Sequence, residues 1–154
     1  MATPYSKIYE RVLSKFEDYE LPLMEQSEVE EYLHTLLLSA IVDFSSCYKD
    51  LSKRNDELQE FEDDLDNNEV EILSNYIVLH FENAKYIRVP LLLKSAVGTK
   101  DFHQFSDANK LDKLLAMHDT FRNENETLLS RYCWSNFDYK NSKMCTGYRK
   151  KSFH

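Results

Sequence analysis

The chain of 154 residues holds few side chains able to ligate a metal, move a proton or attack a carbon, and their spacing limits what they can do. The histidines are His34, His80, His103, His118 and His154. No two stand four residues apart, so the helical pair that ligates zinc in metalloproteases is missing. His80 and His118 fall on apolar stripes, where a histidine is expected to be a satisfied core residue. His118-Asp119 has the makeup of an acid–base pair, but consecutive residues on a helix do not face each other. Cys47, Cys133 and Cys145 are odd in number and fit no zinc spacing. Free thiols in a reducing, intracellular setting are expected. These residues predict no catalytic site, no metal and no cofactor, and the chain is read as a non-enzyme.

The loudest local pattern is acidic. Asp56, Glu57, Glu60, Glu62, Asp63, Asp64, Asp66, Glu69 and Glu71 follow one another without an intervening base. Asp64, Asp66 and Asn68 imitate the opening of a calcium loop. The pattern then breaks, because Glu69 replaces the turn glycine and Asn75 replaces the bidentate glutamate at the twelfth position. Acids before and within the first turn of a helix complement its dipole, and that is the reading adopted.

The opposite charge gathers at the C-terminus. From Arg131 to His154 there are six bases and one acid, a net +5, which leaves −13 on the remainder of a chain whose total is −8. Arg131, Lys140, Lys143, Arg149, Lys150 and Lys151 interleave there with Trp134, Phe137, Tyr139, Tyr148 and Phe153. Such a mixture stacks nucleobases in some proteins and anchors protein interfaces in others. The acidic remainder repels phosphates, which favours a protein partner. The segment 133–154 is therefore read as an arm that binds a partner.

The elements that must carry these residues are helices. Only 2 glycines and 3 prolines occur, too few for the turns of a sandwich or barrel or for a phosphate-cradling loop. Hydrophobic residues at 42% and charged residues at 30% suit one water-soluble domain. The opening residues lack the apolar core of a signal peptide, and no run approaches the ~20 apolar residues that cross a bilayer. A first helix is predicted from Pro4 to about Tyr19, capped by Thr3, with Ile8, Val12, Leu13 and Phe16 as its stripe. A second starts at Ser27 with a Ser27/Glu30 capping box and buries Val29, Leu33, Leu36, Leu37, Ala40, Ile41 and Phe44. Residues 46–66 read as a loop with one helical turn near Glu57 to Phe61. A third helix starts after Asn67 or Asn68, with Val70, Leu73, Tyr76, Ile77, His80, Phe81 and Ala84 on one face. Pro90 ends or kinks it, Leu91 to Val97 continue at a new angle, and Gly98 stops the chain. A fourth helix starts at Ser106, with Leu111, Leu114, Leu115, His118, Phe121, Leu128 and Tyr132 as its stripe. The expected fold is an all-α bundle of about four helices spanning 1–132, followed by an extended arm, 133–154.

Four segments resemble, in matching order, small proteins from the head-to-tail connector of tailed bacteriophages. They are YSKIYERVLSKFEDYEL (Tyr5 to Leu21), LLLSAIVDF (Leu36 to Phe44), ELQEFEDDLDNNEVEILSNYIVLHF (Glu57 to Phe81) and GTKDFHQFSDANKLDKL (Gly98 to Leu114). The resemblance implies an adaptor, or neck, protein of the virion, made in the host bacterial cytoplasm. Such adaptors are helical and form a ring, commonly a dodecamer, below the portal. The ring extends the DNA channel and gives the tail a docking surface. The implied partners are the portal protein, other neck or tail-completion proteins and further copies of the chain. Double-stranded DNA would pass without specific binding, and no membrane is involved. On this reading Glu60, Glu62, Asp63, Asp64 and Asp66 form a DNA-repelling surface, and the basic aromatic arm grips the portal or a neighbouring subunit. A rival reading is an acidic phage-encoded inhibitor that occupies a host DNA-binding enzyme by imitating DNA.

Overall fold

A computed structural model describes residues 2–15, 25–44, 49–88 and 104–136, and of residues 88 and 104–109 the backbone alone. In chain order they form strand β1 (Thr3–Pro4), helix α1 (Tyr5–Leu13), helix α2 (Gln26–Phe44), strands β2 (Arg54–Asn55) and β3 (Glu60–Phe61), and helix α3 (Asn67–Glu82). A π-helical turn, Asn83–Arg88, and helix α4 (Gln104–Ser135) follow. The fold is an all-α bundle.

Helix α3 is its hub. Every residue from Ile72 to Leu79 is buried, and α1, α2 and α4 each pack against it. A helix covered on all sides needs apolar residues all round rather than one stripe. Ile72, Leu73, Ile77, Val78 and Leu79 meet that need. From α2 the core takes all seven predicted residues, Val29 through Phe44. From α1 it takes Tyr5, Ile8, Tyr9 and Val12, whereas Leu13 is exposed and Phe16 lies outside the described residues. Leu33, Leu37, Ile72, Leu73 and Ile77 are almost wholly buried, and each such side chain contributes about 1.5–3 kcal/mol.

The helix starts differ from the predicted ones. Pro4, not Thr3, holds the cap position of α1. Thr3 sits in β1, where its hydroxyl accepts the Leu65 N–H at 2.8 Å and donates to Asp64 Oδ1 at 3.3 Å. Ser27 lies inside α2, and Glu30 accepts the Gln26 side-chain amide at 2.9 Å instead of closing a capping box. The capping box is at α3, where Asp66 rather than Asn67 or Asn68 is the cap. Asp66 Oδ1 accepts the Glu69 N–H and Glu69 Oε2 accepts the Asp66 N–H.

The predicted loop is partly a ribbon. β3 pairs antiparallel with β1 (Thr3↔Phe61, Pro4↔Glu60) and with β2 (Arg54↔Phe61, Asn55↔Glu60). In place of a helical turn, Asp56 to Gln59 close a hairpin. Asn55 Oδ1 accepts the N–H groups of Glu57 and Leu58 at 3.0 and 3.1 Å, which diverts them from helical bonding. Gln59 takes a left-handed backbone, φ 53°, to complete the turn.

Helix α4 begins two residues before Ser106 and runs three beyond Tyr132, so Cys133 and Trp134 are helical. Pro90, the segment from Leu91 to Gly98 and Phe102 lie outside the described residues. No described helix is long and apolar enough to cross a membrane.

Candidate interaction surfaces

The position of α4 is fixed by a buried carboxylate. Glu69, in the first turn of α3, is 1% exposed. Its Oε2 takes the Lys49 ammonium at 2.8 Å as well as the Asp66 N–H, and its Oε1 accepts the Tyr132 hydroxyl. Lys49 also donates to the Asp64 carbonyl at 2.8 Å. The carboxylate thus joins the ribbon segment, the start of α3 and the last turns of α4. A buried charge is tolerated only with such partners, so this group is a fastening.

A second polar chain ties α1, α3 and α4. Arg11 Nε and Lys15 Nζ donate to the two oxygens of Glu71 at 2.6 and 2.7 Å. Burial pulls the Glu71 carboxyl up, but the hydrogen bonds and charges of Lys15 and Arg11 outweigh it and hold it below its ordinary value. Lys15 also donates to Asn75 Oδ1. Asn75 in turn donates to Asn125 Oδ1 at 3.0 Å, and Asn125, 1% exposed, donates to the Ile72 carbonyl at 3.3 Å.

The histidines that lie on stripes serve packing. His80 Nε2 and Asp43 Oδ2 are 2.7 Å apart and link α3 to α2. His118 is buried with Nε2 3.2 Å from the Leu79 carbonyl, and its Nδ1 lies 3.9 Å from Asp119, too far for a hydrogen bond. Among the described residues no group of three or more histidines, cysteines and acids could hold a metal ion. Asp66 caps α3 and Asn68 lies within it, so that stretch is a helix start rather than an ion-binding loop. Cys133 corrects the expectation of free thiols, since it is disulfide-bonded. Spacing along the chain does not say which sulfurs meet in space. Cys47 and Cys145 lie outside the described residues.

The acidic run is less bare than it reads in sequence. Asp56 accepts from Tyr5 at 2.8 Å and Arg54 at 3.1 Å, and the Tyr5 hydrogen bond is the main cause of its lowered pKa. Glu69 and Glu71 are paired as described. Of the acids assigned to a DNA-repelling surface, Glu62, Asp63 and Asp64 are exposed, Glu60 is half-buried in β3, and Asp66 is exposed but engaged as the cap. Lys49, Lys53, Asp63 and Asp64 line one shallow hollow, so bases mingle with the acids there.

Of the residues assigned to a partner-binding arm, Arg131 and Trp134 lie exposed on the last turns of α4. Phe137, Tyr139, Lys140, Lys143, Tyr148, Arg149, Lys150, Lys151 and Phe153 lie outside the described residues.

Sequence reasoning missed two exposed apolar areas. One is a groove of about 320 Å³ between the π-helical turn and α4, lined by Tyr86, Ile87, Leu114, Met117 and Phe121, with Glu82 and His118 beside them. Burial pushes the Glu82 carboxyl up there, with partial relief from His118. The other is the outer face of α2, where Leu38 and Val42 are exposed. The signal for the second was present, since Tyr32 to Val42 contains no Asp, Glu, Lys or Arg.

Compared with protein-family models, curated proteins and solved structures, the chain matches none.

Proposed function

We propose that this chain is a structural subunit of a tailed-bacteriophage head-to-tail connector. It would assemble as a ring below the portal, extend the DNA channel and offer the tail a docking surface. The observation that carries the reading is the ordered resemblance of four segments between Tyr5 and Leu114. Those segments fall on α1, on α2, on the ribbon with α3, and on the start of α4. The resemblance therefore runs through the packing elements as well as their connections.

Two physical features support it. The arm leaves from a fixed base, because the Tyr132 hydroxyl is bonded to buried Glu69 just before Trp134. An aromatic anchor that emerges from a rigid helix loses less entropy on docking than one on a free tail. The exposed Glu62, Asp63 and Asp64 also repel passing phosphates. Arg54, Lys49, Arg11 and Lys15 pair with Asp56, Glu69 and Glu71, which leaves less unpaired acid than the run in sequence suggests for a DNA mimic.

Antibody labelling of intact particles tests the proposal. Label is expected at the neck, between capsid and tail, and label elsewhere or nowhere would overturn it. Removal of all residues after Asn136 should leave a folded bundle that no longer enters particles, measured by circular dichroism and by particle composition.

A further inference from the structure

Glu82 is an acid left without a partner in apolar surroundings. It lines the groove between the π-helical turn and α4, beside Tyr86, Leu114, Met117 and Phe121. It is half-buried, and no described side chain hydrogen-bonds or ion-pairs with it. Glu69, Glu71 and Asp43, by contrast, each meet a base or a histidine. Burial pushes the Glu82 carboxyl up, and His118 relieves this only in part. The Nε2 of His118 is committed to the Leu79 carbonyl at 3.2 Å. Lys85, three residues further along, lies over the Phe81 and Tyr86 rings, 5.5 and 5.8 Å from their centroids, rather than on Glu82.

The groove is open, and that decides what kind of occupant suits it. Tyr86 and Leu114 are each 42% exposed and Met117 is 68% exposed. A small ligand needs most of its surface enclosed, which walls this bare do not provide. A protein segment laid along the groove covers them from outside. Toward Leu114 and Met117 such a segment has to be apolar. Toward Glu82 it has to bring a cation, because closing over an unpaired carboxylate is strongly unfavourable. Arginine meets a carboxylate with a planar fork and is the more weakly hydrated of the two bases, so it suits this place better than lysine. Glu82 and Tyr86 stand about one helical turn apart, ~5.4 Å, which sets the spacing of the matching base and apolar side chain.

We infer that this groove docks an apolar segment of a partner protein, one that carries an arginine or lysine within a turn of a large apolar side chain. The base pairs with Glu82, and the apolar side chain covers Leu114 and Met117. The charge fixes the register of the segment, and the apolar contact supplies most of the burial. The inference stands apart from the connector reading, since it concerns the isolated chain and holds for a partner in any assembly.

Selection from a displayed library of random short peptides against the whole chain tests it. Enriched peptides should pair a base with a large apolar residue inside one turn, and should shift the amide resonances of Tyr86, Leu114 and Met117. Calorimetric titration then measures the same peptides on variants whose folding is verified by circular dichroism. Glu82→Gln keeps the shape and removes the charge, and should raise the dissociation constant ~tenfold or more. Met117→Asp should do the same by setting a charge against the apolar side chain. Replacing the peptide's base with citrulline should reproduce the loss on the unmodified chain, so the outcome does not depend on either variant folding. Peptides enriched without a base, peptides that bind Glu82→Gln or accept citrulline without loss, or no enrichment at all would overturn the proposal. Self-association that Met117→Asp abolishes, read by sedimentation, would assign the groove to a second copy and overturn it as well. Particle labelling judges the connector reading separately.

Discussion

In α3 the eight residues from Ile72 to Leu79 are all buried, whereas in α4 the eight from Lys110 to Met117 include none that is. Both helices belong to one bundle, and the C-terminal half of α4 is anchored in it through Asn125, Leu129 and Tyr132. The difference shows how labour is divided. A helix with neighbours on every side has its whole sequence committed to packing. A helix that reaches past the central one has a half that packing among the described residues commits less fully.

Substitutions can break or sharpen this contrast. The largest effect is expected from Glu69→Ala, which strips Lys49, Tyr132 and the Asp66 N–H of their shared partner. It should cost about 3–5 kcal/mol in urea unfolding, and a loss below 1 kcal/mol would show that the fastening is dispensable. Leu73→Ala in the hub should cost about 2–5 kcal/mol through lost burial and a cavity, while Leu114→Ala on the exposed side of α4 should stay within ~0.5 kcal/mol. Equal losses at the two sites would erase the contrast. Asn125→Ala, which orphans the buried Asn75 amide, should cost about 1–3 kcal/mol. The smallest effect concerns acid. The carboxyl of Glu71 is lowered in the fold, so its stabilisation is complete above its ordinary value and is lost as pH falls through the folded value. Glu71→Gln should therefore lower the melting temperature at pH 7 and flatten its decline below pH ~4.5; an unchanged acid limb would place that sensitivity elsewhere.

The sequence makes some of these elements plain and hides others for identifiable reasons. The α2 stripe was legible because one face is buried and the 3.6-residue period shows it, and all seven predicted residues lie in the core. In α3 a one-sided stripe was expected, so Ile72, Ser74, Asn75, Val78 and Leu79 were missed; a helix packed on every side has no period to find. In α4 the stripe was right at His118 and Tyr132, but Leu114 is exposed and Asn125 is buried instead. Asparagine reads as polar until its partners on α3 are known, and they lie 50 and 53 residues away. Glu69 was hidden for the same reason, since Lys49 and Tyr132 are 20 and 63 residues distant. The ribbon escaped because two-residue strands carry no alternation. Of the candidate surfaces, the acidic run was visible, but its partial neutralisation by Arg11, Lys15, Lys49 and Arg54 was not.

The central helix is also the third to be made. A ribosome releases α1 and α2 before the element both of them lean on, and the 38 residues from Phe44 to Glu82 take roughly 2 to 8 seconds to synthesise at ~5–20 residues per second. Throughout that interval Ile8, Val12, Leu33 and Leu37 have no hub to cover them. A nascent chain stalled shortly after Phe44 should be a good client for chaperones that hold greasy segments, and one stalled past Tyr132 a poor one.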